Sequence, residues 1–364
     1  MQTAIPCLFM RGGTSRGPFF RAADLPAEVA TRDRVLLAAI GSPDARQIDG
    51  LGGAHPLTSK VGIVGPSAVP GVDLDFLFAQ LQPGKDVVDT TPNCGNMLAA
   101  VVPFALETGL AAVQGETTTL RVRTINTDMA CDITVCTPGG RVAYEGEARI
   151  DGVPGTASPI SINFLDTAGS VCSGLLPTGR VRDVIDGLEV TCIDNGMPMV
   201  LLRAADVGRR GDESVTAMNA DSELKARLER LRLAAGVAMG LGDVGPKSYP
   251  KMCLVAPPAQ GGAIATRCFI PHVCHDAIGV LAAVTVATAC VLEGSITQGI
   301  AAVSPGRVRR LSVEHPTGEF SVELETDEND PQRVTRAALL RTARLIMRGE
   351  VMIPSSIWTP GESA

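Results

Sequence analysis

The hydrophobic pattern divides the chain into short strands and two kinds of helix. Residues 277–292, "AIGVLAAVTVATACVL", form a run with no polar face, and "GNMLAAVVPFALETGL", which follows Cys94, is almost as apolar. A helix that is hydrophobic on every side must be wrapped by other structure. Segments 27–40 ("AEVATRDRVLLAAI") and 221–240 ("DSELKARLERLRLAAGVAMG") read instead as amphipathic helices. Most of the remaining chain is short strands separated by Gly, Pro and Asp turns. Strands around a central apolar helix is the simplest arrangement that buries such a helix.

The pattern occurs twice. "PCLFMRGGTSRGPFFRAADLP" (6–26) and "TCIDNGMPMVLLRAADV" (191–207) are each a Cys-led strand, a Gly-containing turn, a second strand and the tetrapeptide Arg-Ala-Ala-Asp. The amphipathic segments follow in the same order. "SKVGIVGPS" (59–67) is echoed by "PKMCLVAPP" (250–258), with Lys60 opposite Lys251. Cys94 and Cys274 each precede an Ala- and Val-rich helix, and "INTDMACDITV" (125–135) is echoed by "EHPTGEFSVEL" (314–324). Such ordered echoes predict a duplicated α/β unit. The boundary is expected near residue 183, giving halves 1–183 and 184–364, with the last strand able to pack on the first half. Two halves facing each other would bring both central-helix N-termini to one cleft, where free N–H groups suit an anion.

Composition narrows the partners. A net charge of −7 argues against nucleic acid or an anionic membrane, both of which select basic surfaces. The longest apolar run falls short of the ~20 residues that span a bilayer. The N-terminal apolar run meets a glycine turn too soon for a secretory signal. Ten cysteines, several inside apolar runs, are therefore expected as reduced thiols of a cytoplasmic protein.

Four clusters carry candidate chemistry. Cys94 lies in "NCGN" at a helix start; it reads either as a buried small residue behind an Asn93 N-cap, or as a thiol with Gly95 open to a ligand and Asn93 and Asn96 beside it. Lys60, after Gly52, Gly53, Thr58 and Ser59, reads as a surface lysine or as a base in an anion-binding loop. "MRGGTSRG" joins Arg11, Gly12, Gly13, Thr14 and Ser15, a strand turn or a carboxylate cradle. "RCFIPHVCHDA" sets Arg267, His272, Cys274 and His275 ahead of the second apolar helix. That pattern suits carboxylate binding better than zinc, because no fourth ligand stands at a recognisable spacing. His315 and Asn126-Thr127 occupy matched loops and are expected to face the cleft, and His55 reads as a surface residue. With no nucleotide or Ser-His-Asp motif, the residues point to cofactor-free proton transfer on carbon of a polycarboxylate.

"MRGGTSRG", "GSPDARQIDGLGGAHPLTSK", "NCGN", "DGVPGT", "LLPTG", "IDNGMP", "HPTGE" and "RTAR" together resemble the methylaconitate isomerase family over residues 5–355. "RCFIPHVCHDAIGV" and "VTCIDNGMP" are most similar to its 4-oxalomesaconate tautomerase and isomerase branch. The resemblance implies a diaminopimelate epimerase-like α/β fold of two pseudo-symmetric halves, each a barrel-like sheet around a central apolar helix. It implies a cofactor-independent isomerase in bacterial breakdown of gallate, protocatechuate and lignin-derived aromatics, shifting a proton within an unsaturated keto tricarboxylate. Lys60 would be the base and Cys94 a second acid/base. Arg11, Gly12, Gly13, Thr14, Ser15, Thr58, Ser59, Asn93, Gly95 and Asn96 would line the first half of the site, and Arg267, His272, His275 and His315 would hold carboxylates from the second. No metal, nucleic acid or membrane enters this reading, and a homodimer is compatible with it. The rivals are 2-methylaconitate cis-trans isomerisation and a non-catalytic polycarboxylate-binding protein. The family usually has Lys where this chain has Arg16, and the second half lacks its own Asn-Cys-Gly-Asn. A one-sided Lys/Cys mechanism is therefore expected.

Overall fold

The computed structural model describes residues 1–165, 167–330 and 333–361. Contacts group the chain into two compact units, Met1–Leu165 with Arg341–Ala364, and Asp166–Leu340. The sequence reading placed one boundary near 183. The stretch before 183 stays with the second unit because the Asp194 carboxylate accepts bonds from Ser170 Oγ (2.9 Å) and the amides of Val171 and Cys172 (2.8 and 2.9 Å). The last strand, Ala343–Pro354, belongs to the first unit because it runs antiparallel along the whole of the first strand.

The first unit contains β1 (Gln2–Gly12), β2 (Ser15–Arg21), α1 (Val29–Ile40), β3 (Lys60–Pro66), β4 (Leu74–Leu81), β5 (Val88–Asp89), α2 (Gly95–Leu98), α3 (Val101–Glu107), β6 (Thr117–Thr124), β7 (Met129–Cys136) and β8 (Ile160–Phe164). β1 pairs antiparallel with β2, β2 parallel with β3, β3 antiparallel with β4, and β4 parallel with β6; β6, β7 and β8 follow antiparallel. The second unit contains β9 (Asp183–Ile185), β10 (Leu188–Asp194), β11 (Pro198–Arg203), α4 (Val215–Ala220), α5 (Ser222–Ala238), β12 (Lys251–Ala256), β13 (Ile264–Phe269), α6 (Val280–Val291), β14 (Val308–His315), β15 (Gly318–Thr326) and β16 (Val334–Arg341). Its pairings from β10 to β16 repeat the same alternation of antiparallel and parallel steps. The duplication expected from sequence is thus present as repeated connectivity.

Each unit wraps an apolar helix. Residues Ala282 through Ala289 of α6 are all buried, and α6 packs on β10, β11, β14 and β15. The polar exceptions are satisfied: Thr285 Oγ1 donates to Leu281 O (2.9 Å) and Thr288 Oγ1 to Val284 O (2.9 Å). In the first unit Met97 through Ala105 are buried, with α2 against β1 and β2 and α3 against β3 and β7. The single helix read from sequence is split at Ala99-Ala100, because Pro103 has no N–H to donate to the Ala99 carbonyl.

The amphipathic helices cover the other sheet faces. Glu28 caps α1 by accepting from the amides of Ala30 and Thr31, and Gly41 ends it in a left-handed conformation (φ 83°). Asp221 caps α5 through the Leu224 amide (2.9 Å). In β11, Val200 and Leu202 join the α5 core while Met199 and Leu201 join the α6 core. Burial on both faces explains why these strands are continuously apolar rather than alternating. No helix of the described residues is long and apolar enough to cross a membrane. All ten cysteines are free thiols.

Candidate active site

Lys60 opens β3 and is only 7% exposed. Its Nζ donates to Gln80 Oε1 and lies 4.9 Å from the centroid of the Phe78 ring. The partner is oriented by its surroundings. Gln80 Nε2 donates to the carbonyls of Pro56 (3.1 Å), Ser59 (3.2 Å) and Leu81 (2.8 Å), so the amide oxygen must face the lysine. Lys60 and Gln80 are direct cross-strand partners. Phe78 is held in turn by Asn126, whose side chain accepts from the Phe78 amide (2.9 Å) and donates to its carbonyl (2.8 Å) and to Thr90 O (2.7 Å). Asn126, expected to face ligand, is therefore occupied in fixing the lysine's aromatic neighbour.

The hairpin joining β1 and β2 touches both candidate catalytic segments. A Cβ on Gly17 would lie 1.8 Å from the Lys60 carbonyl oxygen. A Cβ on Gly12 would lie 2.3 Å from the Asn96 carbonyl oxygen, and one on Gly13 2.1 Å from Asn96 Oδ1. These positions admit only glycine, which is why the motif carries three. Asn96 Nδ2 donates to Thr14 Oγ1 (2.9 Å). Cys94 is half-buried at the N-cap of α2, with its amide donating to Asn93 Oδ1 (2.8 Å) and Gly95 opening the helix. Ser15 is 1% exposed, and its hydroxyl has no hydrogen-bond partner among the described residues.

Other first-unit residues serve the scaffold. Ser59 is fully buried and its hydroxyl donates to Gln47 Oε1 (2.7 Å) and His55 O (2.8 Å). Thr58 Oγ1 donates to His55 O (3.1 Å), and His55 itself is exposed. Arg11 Nη1 donates to Gly13 O (2.8 Å), Thr342 O (3.1 Å) and Thr342 Oγ1 (3.0 Å).

In the second unit Lys251 opens β12 as Lys60 opens β3. Its Nζ lies 3.7 Å from the Cβ position of Gly279, the N-cap of α6. His275 is near it: burial first, and the Lys251 ammonium second, hold the imidazole below its ordinary range. Its Nδ1 accepts from the Ala277 amide (2.8 Å), placing the neutral ring's proton on Nε2. The His315 turn joins the same region, since Thr317 Oγ1 donates to Asp276 O (2.8 Å).

Two expected partners turn elsewhere. The buried Arg267 donates from Nε to Glu213 O (2.7 Å) and from Nη1 to Thr266 O (2.8 Å). His272 is exposed, with Nδ1 3.6 Å from the Glu229 carboxylate. Cys274 does not open α6 as the repeat suggested. It bridges back to Phe269, six residues before the helix, and burial pushes its thiol up to about 11. Among the described residues no group of three or more His, Cys, Asp or Glu converges as a metal site.

Sequence reasoning missed Gln80, Phe78 and the placement of Lys251. The strand alternation at 78 and 80 was the available signal, but it does not reveal which strand lies opposite.

The chain is 55% identical over 348 residues to a protein of Novosphingobium sp. (strain KA1) named (4E)-oxalomesaconate Delta-isomerase, covering 96% of this chain and 97% of that one. It is 53% identical over 357 residues to a Pseudomonas putida protein named 4-oxalomesaconate tautomerase, covering 98% of each. A crystal structure of methylitaconate-delta-isomerase superposes with a TM-score of 0.85 at 33% identity, covering 100% of this chain and 99% of the other. The family model described as PrpF protein matches residues 2–354, and the chain belongs to that family.

Proposed function

We propose that the protein is an isomerase that moves a proton within 4-oxalomesaconate, with Lys60 as the base. The observation that carries this reading is the buried Lys60 amine, aimed by Gln80 and joined through one glycine hairpin to the Asn93–Asn96 segment that holds Cys94. In its neutral form Lys60 takes a proton from a carbon conjugated with the keto group. The C–H bond breaks, an N–H bond forms, and the electron pair passes into the conjugated carbonyl as a dienolate. A preorganised donor to that oxygen is worth ~3 kcal/mol, and the unpartnered Ser15 hydroxyl is suited to supply one. A proton then returns at another carbon or at oxygen, either from the Lys60 ammonium, which restores the amine, or from Cys94, whose thiolate then regains a proton from water while the Lys60 ammonium releases its own to water.

Asn93, Gly95, Asn96 and Thr14 line this centre. In the second unit His275 and His315 keep the proposed carboxylate-holding role. Arg267 and His272 are engaged instead with the Glu213 carbonyl and the Glu229 carboxylate. The high identity to proteins named for 4-oxalomesaconate supports this substrate over methylaconitate. The reading also takes the enzyme as cofactor-independent, cytoplasmic and part of aromatic breakdown. Proton NMR of 4-oxalomesaconate in deuterated water tests it. Deuterium should enter the carbon framework with the native chain and not with Lys60→Met; equal exchange by both chains refutes Lys60 as the base. The position of the label separates an enol product from a shifted double bond.

A further inference from the structure

Three arginines stand side by side on adjacent strands of the first unit. Arg16 is the direct cross-strand partner of Arg11, and Arg11 is the direct partner of Arg344 on the last strand. Opposed residues of antiparallel strands share a face, about 4.8 Å apart from strand to strand. The next residues in the same register are Ser15, Gly12 and Ala343. All three are buried, and the Gly12 Cβ position points at Asn96. Side chains alternate along a strand, so the arginine row faces the opposite side of the sheet from Asn96.

Like charges directly opposed across strands are destabilising. Among the described residues none of the three has a carboxylate within ion-pair distance. Arg16 lies over the Phe9 ring at 5.7 Å, and the Arg11 guanidinium is pulled below its ordinary range by burial and by Arg344. All three line one open cavity of about 1010 Å³ together with Thr14, Ser15, Thr58 and part of the 144–157 stretch, in which Glu145 is the acidic lining residue. Lys60, Cys94 and Asn96 are not among its lining residues.

We infer that this cavity is a second anion site that adjoins the proposed catalytic centre at Thr14 and Ser15 and is built to bind a di- or tricarboxylate across the Arg16–Arg11–Arg344 row. Planar guanidinium forks pair with carboxylates in bidentate fashion, and a short polyacid carries its carboxylates at separations comparable to the strand spacing. The inference does not depend on the role of Lys60.

Calorimetric titration with citrate, an unreactive tricarboxylate, tests it on the full chain. Native protein and Lys60→Met should bind citrate alike, and Arg16→Gln/Arg344→Gln should bind it at least about tenfold more weakly. Unchanged binding by the double variant overturns the proposal, as does loss of binding in Lys60→Met. Inorganic phosphate should bind more weakly than citrate; equal or tighter phosphate binding overturns the carboxylate assignment. Arg344→Glu keeps the test independent of folding losses, because it sets a carboxylate opposite Arg11. It should raise the melting temperature without citrate and abolish the citrate-induced rise, and a rise of native size refutes the site.

Discussion

Lys60 Nζ meets the one atom of Gln80 that can receive it. Three backbone carbonyls take the Gln80 amide nitrogen, and the cross-strand register sets the amide oxygen against the lysine. The base is therefore positioned by a residue that touches the scaffold on three sides.

Gln80→Leu should lower kcat by roughly 10- to 100-fold, about 1.4–2.7 kcal/mol, with KM little changed. A native kcat in Gln80→Leu would reduce Gln80 to a structural residue.

Gly17→Ala sets a methyl group against a backbone oxygen that cannot swing aside. Denaturant melts should show a loss of about 2–3 kcal/mol, the upper range for overpacking. The displaced Lys60 should also lose turnover in whatever fraction remains folded.

The two cysteines ahead of the apolar helices should differ in reactivity. Cys94 is half-buried, whereas Cys274 is 2% exposed with its thiol pushed up to about 11. Iodoacetamide at pH 8, followed by peptide mass spectrometry, should label Cys94 first and leave Cys274 protonated and unmodified. Cys274→Ser should retain deuterium exchange into substrate, while Cys94→Ser should slow it.

His275 predicts a pH dependence of stability. Its folded-state pKa is depressed, first by burial and then by Lys251. The unfolded chain thus binds the proton more readily, and stability from this group is fully present above the ordinary histidine value of about 6.5. It is lost as pH falls below that value toward the depressed one. Urea melts between pH 7.5 and 5, a window spanning about 6.5, should show a decline that His275→Gln reduces. An unchanged decline would assign it to other groups.

Much of this protein follows from its sequence alone. A run such as 280–291, apolar on every side, can only be a wrapped helix, and two echoes of strand, turn and Arg-Ala-Ala-Asp require two copies of one unit. The glycines of "MRGGTSRG" marked a strand turn or a carboxylate cradle, and Lys60 and Cys94 stood out as candidates beside glycine-rich loops and a helix start. Tertiary structure alone decided what each side chain faces. Gln80 became the partner of Lys60 through the β3–β4 register, Arg11 parted from Gly12 by strand alternation, and Arg267 turned to the Glu213 carbonyl. The physical reason is that local periodicity determines which side of an element is buried. Which element lies across from it is set by long-range pairing, and a shift of one residue would exchange every face.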